Sequence, residues 1–223
     1  MERTAKGKNG LIPYKLTRRQ MKSIILKIEQ DGTVAVSAGK AVPYREIDDI
    51  VISCEDRINK RREELKSNIY YINENCKFYE GDIFYIWGEK YIIKASDKTK
   101  IDKENRILYV NKNLKNIKSN VESCIKRECK IVFENLSKKV YNTLTEYKGD
   151  KPEILIKKMK SCWGICYYEK GKIILNSRLS YYPKSKAQDT VYHEYVHFIH
   201  HNHSKEFYQL LNKYVNSEKD RGM

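Results

Sequence analysis

Residues 193–203 read HEYVHFIHHNH, and this stretch holds all five histidines of the chain. His193 and His197 stand four apart, with Glu194 beside the first. Positions i and i+4 of a helix share a face, so these two imidazoles can meet one ion. Glu194 then lies where a carboxylate can hold and deprotonate a water on that ion. His200 falls in the same angular sector but about 10 Å along the axis from His193, too far to share one zinc through bonds of about 2.1 Å. A third ligand must come from chain that turns back. Asn202 tolerates the left-handed conformation that ends helices, which brings His203 under the first two histidines, with Ser204 capping the next helix. Three histidines leave a fourth position open to water, as catalytic zinc sites do. His200 and His201 are read as surface or outer groups, and Asp189 as an ordinary helix-start carboxylate.

Upstream, Pro183 and Ser185 introduce the motif helix, with Ser185 as the expected N-cap. Val191, Tyr195, Val196, Phe198 and Ile199 supply its apolar positions. Before it, EILIKKM reads as a strand, and SCWGICYY and KIILNSRL as a hairpin through Glu169-Lys170-Gly171. A long helical pattern spans about Leu114 to Tyr147, its stripe marked by Ile117, Val121, Ile125, Val132, Leu136, Val140 and Leu144. Beyond Ser204 a last helix offers Phe207, Leu210, Leu211, Tyr214 and Val215.

The first half has no histidine. SIILKIEQDGTVAVSA alternates about an Asp31-Gly32 turn, a hairpin signal. A helix follows, with Ile47, Ile50, Val51, Cys54 and Ile58 at helical spacing. A second hairpin, FYEGDIFYIWGEKYIIKAS, turns at Gly88-Glu89, and ILYVN (107–111) reads as one more strand. No internal repeat is evident. The fold class is α+β: a basic tail over 1–14, a β-rich lobe with one helix over 15–111, and a core over 112–223 made of the long helix, a small antiparallel sheet, the histidine helix and a last helix.

The chain has 223 residues, of which 40% are hydrophobic and 11% aromatic, enough to bury a core rather than remain disordered. No apolar run approaches the roughly 20 residues of a membrane helix, and the basic start lacks the apolar segment of a signal peptide. The expectation is a cytoplasmic protein without a membrane partner. Six cysteines, at 54, 76, 124, 129, 162 and 166, are too few for a disulfide scaffold and lack zinc-knuckle spacing, so free thiols are expected. A net charge of +15 fits an acidic partner such as DNA. It fits equally the Lys-, Asn-, Ile- and Tyr-rich composition that AT-rich coding produces, and charge alone does not decide between them.

The carboxyl-terminal motifs resemble those of the YgjP-like metallopeptidases, relatives of the SprT-type minimal zincins. The residues that carry the likeness are Lys160-Ser161-Cys162-Trp163-Gly164-Ile165-Cys166, Leu175-Asn176-Ser177-Arg178-Leu179, HEYVH, and Asn202-His203-Ser204 with Phe207-Tyr208. The early hairpin, its helix and GDIFYIWGEKY also look like that family's amino-terminal half. Cys162 stands where the family usually has arginine, Ile165 where it has serine, and His201 where proline is common. The resemblance implies a zincin-like core with one zinc on His193, His197 and His203, and Glu194 as general base. It also implies a peptide or protein substrate added as a strand to a sheet edge, which is assigned here to about Ile173–Arg178. Arg178, Tyr181, Tyr182 and Lys160 are the candidates for stabilising the oxyanion. Two other readings stand beside this one. One is a DNA-associated protein, either a protease of DNA-bound proteins or a nucleic-acid module with a vestigial metal site. The other is a zinc hydrolase that does not act on peptides.

Overall fold

The computed structural model describes the backbone of residues 1–220 and the side chains of residues 1–215. The chain divides into two compact units, Met1–Cys76 and Lys77–Met223. Both are mixtures of helix and strand, and the β-rich start and the helices that follow conform to an α+β class. Among the described residues no helix is long and apolar enough to cross a membrane.

In the first unit four strands, β1 (Glu2–Lys6), β2 (Leu11–Arg19), β3 (Ile25–Ile28) and β4 (Val34–Gly39), form a sheet of order β1-β2-β4-β3. The segment expected as a basic tail is thus a hairpin. Lys6 and Lys15 alternate with Ala5, Ile12, Tyr14 and Leu16, which are buried, so these lysines lie on the outer face, while half-buried Arg3 shares the inner face and pairs with Asp48. Pro13 does not interrupt the sheet, because β4 begins to pair with β2 only at Tyr14, so no ladder bond is asked of the missing N–H. The expected Asp31-Gly32 hairpin joins β3 to β4, with Gly32 at φ 79°. The single helix read after it is two, α1 (Tyr44–Ser53) and α2 (Glu55–Leu65), parted at Cys54, and a short α3 (Ile69–Asn75) closes the unit.

The second unit opens with β5 (Ile83–Ile86), β6 (Glu89–Ser96), β7 (Lys100–Asp102) and β8 (Ile107–Asn111), in the order β5-β6-β8-β7. These strands, expected with the amino-terminal lobe, cluster with the histidine-bearing half instead. Helix α4 (Ile117–Thr143) follows, with the Asn116 side chain accepting from the Ser119 N–H at its start. Its buried stripe includes Phe133 and Ser137 rather than the expected Val132 and Leu136, which are only half-buried. Ser137 tolerates burial because its hydroxyl meets Tyr195 Oη at 2.7 Å.

A three-stranded sheet completes the layer beneath the site: β9 (Glu153–Lys157), β10 (Gly164–Tyr167) and β11 (Lys172–Asn176), in the order β10-β11-β9. The order corrects the expected edge. Strand β11 pairs antiparallel with β10 and parallel with β9, so Ile173–Asn176 lie at the centre. Ile173 and Leu175 are fully buried there, and the edges of the sheet are β10 and β9, of which β10 supplies cavity-lining residues. The chain then leaves the sheet in a 3-10 turn, Ser177–Tyr181. Helix α5 (Lys184–Val196) starts from Pro183 with no side-chain cap, which corrects the expectation for Ser185. Proline's fixed extended backbone makes the entry, and Ser185 is an exposed first-turn residue. The last helix, α6, spans Lys205–Asp220.

Candidate metal centre

Helix α5 is fixed before it presents anything. Ala187, Val191 and Tyr195 recur every four residues and are buried, as are Tyr192 and Val196. The Tyr195 and Tyr192 hydroxyls reach Ser137 and Thr143 of α4, the latter at 2.9 Å. Held on that side, the helix turns His193 and Glu194 toward a cavity of about 670 Å³.

The helix ends at His197. The next amides reach back only three residues, Phe198 N–H to Tyr195 O and Ile199 N–H to Val196 O, both at 3.0 Å. The tightened turn brings His203 back without the left-handed Asn202 that the sequence suggested. Among the described residues only Phe78, Trp87 and Arg106 are non-glycines with positive φ. Ser204 does cap α6, its hydroxyl accepting from the Phe207 N–H at 3.3 Å.

The result is convergence. His193 Nε2 lies 3.2 Å from His197 Nε2 and 3.0 Å from His203 Nε2. Two ligand nitrogens on one tetrahedral zinc, each about 2.05 Å from it, would be about 3.3 Å apart. The donor set therefore fits one ion, and it is a group of three whose ligand atoms lie within 4.8 Å of one another. His197 Nδ1 sits 3.2 Å from the His200 carbonyl oxygen, an acceptor that favours the Nδ1–H tautomer and leaves Nε2 as a lone pair. So His200 enters through its backbone. Burial, and then the neighbouring imidazoles, push His193 down to about 4, and burial lowers His197 too; both are neutral at physiological pH, the form that ligates.

Two features were not assigned a role from the sequence. Phe207 of α6 is fully buried with its ring centroid 4.9, 4.7 and 4.8 Å from those of His193, His197 and His203, so one apolar ring backs all three. Its place three residues after Ser204 was visible, its contact with all three histidines was not. The second is Gly164 at the start of β10. A Cβ there would stand 2.5 Å from Glu194 Oε1, so the glycine lets the strand press on the carboxylate. The Cys166 N–H donates to Glu194, while burial of the carboxyl, 5% exposed, outweighs that bond and pushes its pKa up to about 7.

Of the other sequence candidates, Arg178 is buried and donates through Nη1 to the Met159 carbonyl at 2.6 Å, where it holds the loop before β10. Tyr181 packs edge-on against Phe84, and Lys160 is exposed. None of these three lines the cavity. Tyr182 stands against Trp163, a lining residue, with ring centroids 5.3 Å apart. Asp189 and His201 both line the cavity, His201 with its ring 3.9 Å from that of Tyr168. All six cysteines are free.

What the helix and the turn after it assemble is a three-histidine site able to hold a metal ion, in an α+β unit. Comparison with known families narrows this. Residues 22–222 match the YgjP-like, metallopeptidase domain, and the chain belongs to that family. No curated protein and no solved structure gives a match.

Proposed function

We propose that this protein is a zinc-dependent peptidase in which His193, His197 and His203 hold the ion through Nε2 and Glu194 is the general base. The ion, when bound, supplies Lewis acidity to a water and to the scissile carbonyl. The chain's own groups do the rest. Glu194 takes the proton of the attacking water and returns it to the leaving amine, and a carboxyl titrating near neutrality suits both transfers. The Cys166 N–H and the bare face of Gly164 fix that carboxylate in place. The His200 carbonyl keeps His197 in its ligating tautomer.

Strand β10 is the proposed substrate edge. Trp163 O accepts from the Asn176 N–H, so in this antiparallel ladder Gly164 and Cys166 turn their remaining backbone groups away from β11 and toward the site. An extended peptide added there would lie across Glu194.

The observation that carries the reading is a group of three histidines, with the Nε2 atoms of His197 and His203 each at zinc-ligand spacing from that of His193, beside a buried glutamate in a metallopeptidase family. The test is metal analysis with proteolysis of unfolded protein substrates. Glu194→Gln is expected to retain one equivalent of zinc and lose about 10²- to 10⁴-fold in kcat. His203→Ala is expected to lose the metal. A Glu194→Gln enzyme as active as the parent would exclude this mechanism.

A further inference from the structure

Lys186 lies in the first turn of α5, seven residues before His193, and so on the same face about 10 Å up the helix. It lines the same cavity as the histidines. Its ammonium sits between two aromatic faces, 4.1 Å from the Trp163 ring centroid and 3.9 Å from that of Tyr182. Those rings meet edge to face at 85°, so they form two walls of a corner around the charge.

Everything else about this position works against a cation. The side chain is half-buried, and burial alone lowers its pKa. A positive charge in a first turn opposes the helix dipole. No carboxylate of the described residues lies within ion-pairing distance of it, Asp189 one turn on included. Lysines elsewhere in the chain meet acids readily: Lys103 pairs with Glu128, Lys158 with Glu122, Lys172 with Glu153. Among the described residues Lys186 meets only π-faces, which orient an ammonium but leave its N–H donors unfilled.

We infer that Lys186, held by Trp163 and Tyr182, is a specificity-determining residue that pairs with a carboxylate of the peptide substrate. Trp163 directly precedes Gly164, so the cation stands at the end of the strand edge on which the peptide is proposed to lie, and the inference rests on that reading. At about 3.3 Å per extended residue, the 10 Å offset places the carboxylate two to four residues from the scissile bond. It is supplied either by an Asp or Glu side chain or by the peptide's own carboxyl terminus.

The test is cleavage-site profiling of a proteome-derived peptide mixture by the zinc-loaded full chain and by its Lys186→Met and Lys186→Glu variants, each first shown to carry one zinc. The expected result is enrichment of an acidic group at one position in that window. Matched Glu and Gln peptides should differ roughly tenfold or more in kcat/KM. The ratio should fall to near one in Lys186→Met and tip toward basic residues in Lys186→Glu. Amidating the peptide terminus separates the sources, since it removes the ratio only when the carboxylate is terminal. A parent profile with no acidic position, or a preference that survives in Lys186→Met, overturns the assignment. Retention of a paired Glu/Gln peptide pool on immobilised Glu194→Gln protein reads the same ratio without turnover. Equal retention of the two also overturns it, whereas a parent that cuts nothing yet retains the acidic peptides defeats the peptidase reading alone.

Discussion

The two four-stranded sheets have the same plan. In each, a first hairpin is antiparallel (β1-β2, β5-β6), its second strand runs parallel to the last strand (β2-β4, β6-β8), and the third strand closes antiparallel on that last strand (β3-β4, β7-β8). They differ in what the first turn does. In the amino-terminal sheet the four-residue turn from Gly7 to Gly10 wraps the Glu55 carboxylate, which accepts from the Lys8 and Asn9 N–H groups at 2.7 and 2.9 Å. In the second sheet the turn is Trp87-Gly88, both at positive φ. Its Trp87 N–H donates to Ser180 O at 2.5 Å, and Gly88 lies against Pro183, the residue from which the histidine helix starts. One strand plan thus serves twice, once to grip a carboxylate within its own unit and once to set the entry of the site helix.

Three substitutions probe that difference, the most damaging first. Trp87→Ala removes a buried ring that stands edge-on to Phe133 and donates to Glu128, and should cost about 3–5 kcal/mol in denaturant unfolding. A loss near zero would mean that the second turn does not anchor its unit. Gly88→Ala is expected to be next. Its Cβ would meet Pro183 Cγ at 2.9 Å, and φ of 80° adds backbone strain of about 1–2 kcal/mol. Both melting temperature and kcat/KM should fall. Gly10→Ala, at φ 136° with nothing within 4 Å, should lower stability without moving kcat/KM, and equal losses of activity from the two variants would erase the contrast.

Glu55→Gln should have the smallest effect. The two backbone N–H groups hold the Glu55 pKa below the usual carboxylate range, so its contribution is present above that range and lost as pH falls through the lowered value. Protection from hydrogen exchange across residues 2–19, taken relative to intrinsic rates, should therefore fall in acid for the parent. The glutamine variant should start less protected at neutral pH and change less, and a parallel pH response in both would argue against the carboxylate.

The site was more legible than its frame. The spacing of His193, His197 and His203, and the limit on what one ion can reach, select three of five histidines without any fold. A serine three residues before Phe207 likewise states its cap locally. Order within a sheet is not local. Nothing in KIILN says whether one neighbour or two will pair with it, and only the parallel partner β9 makes it central. The repeated strand plan was hidden for the same reason, because alternation and turn position carry it while the residues themselves differ. The amino-terminal hairpin was missed because Gly7, Gly10 and Pro13 look like breaks. Two of them belong to the turn, and the third falls where its missing donor is not needed.

Phe207 carries a thermodynamic consequence. Because one ring of α6 backs the three histidines that precede it, capture of an ion by the proposed site would be linked to seating of that helix. Whatever steadies α6 would then raise affinity for the ion, and the ion would in turn steady α6, with neither effect requiring a new bond to the ion.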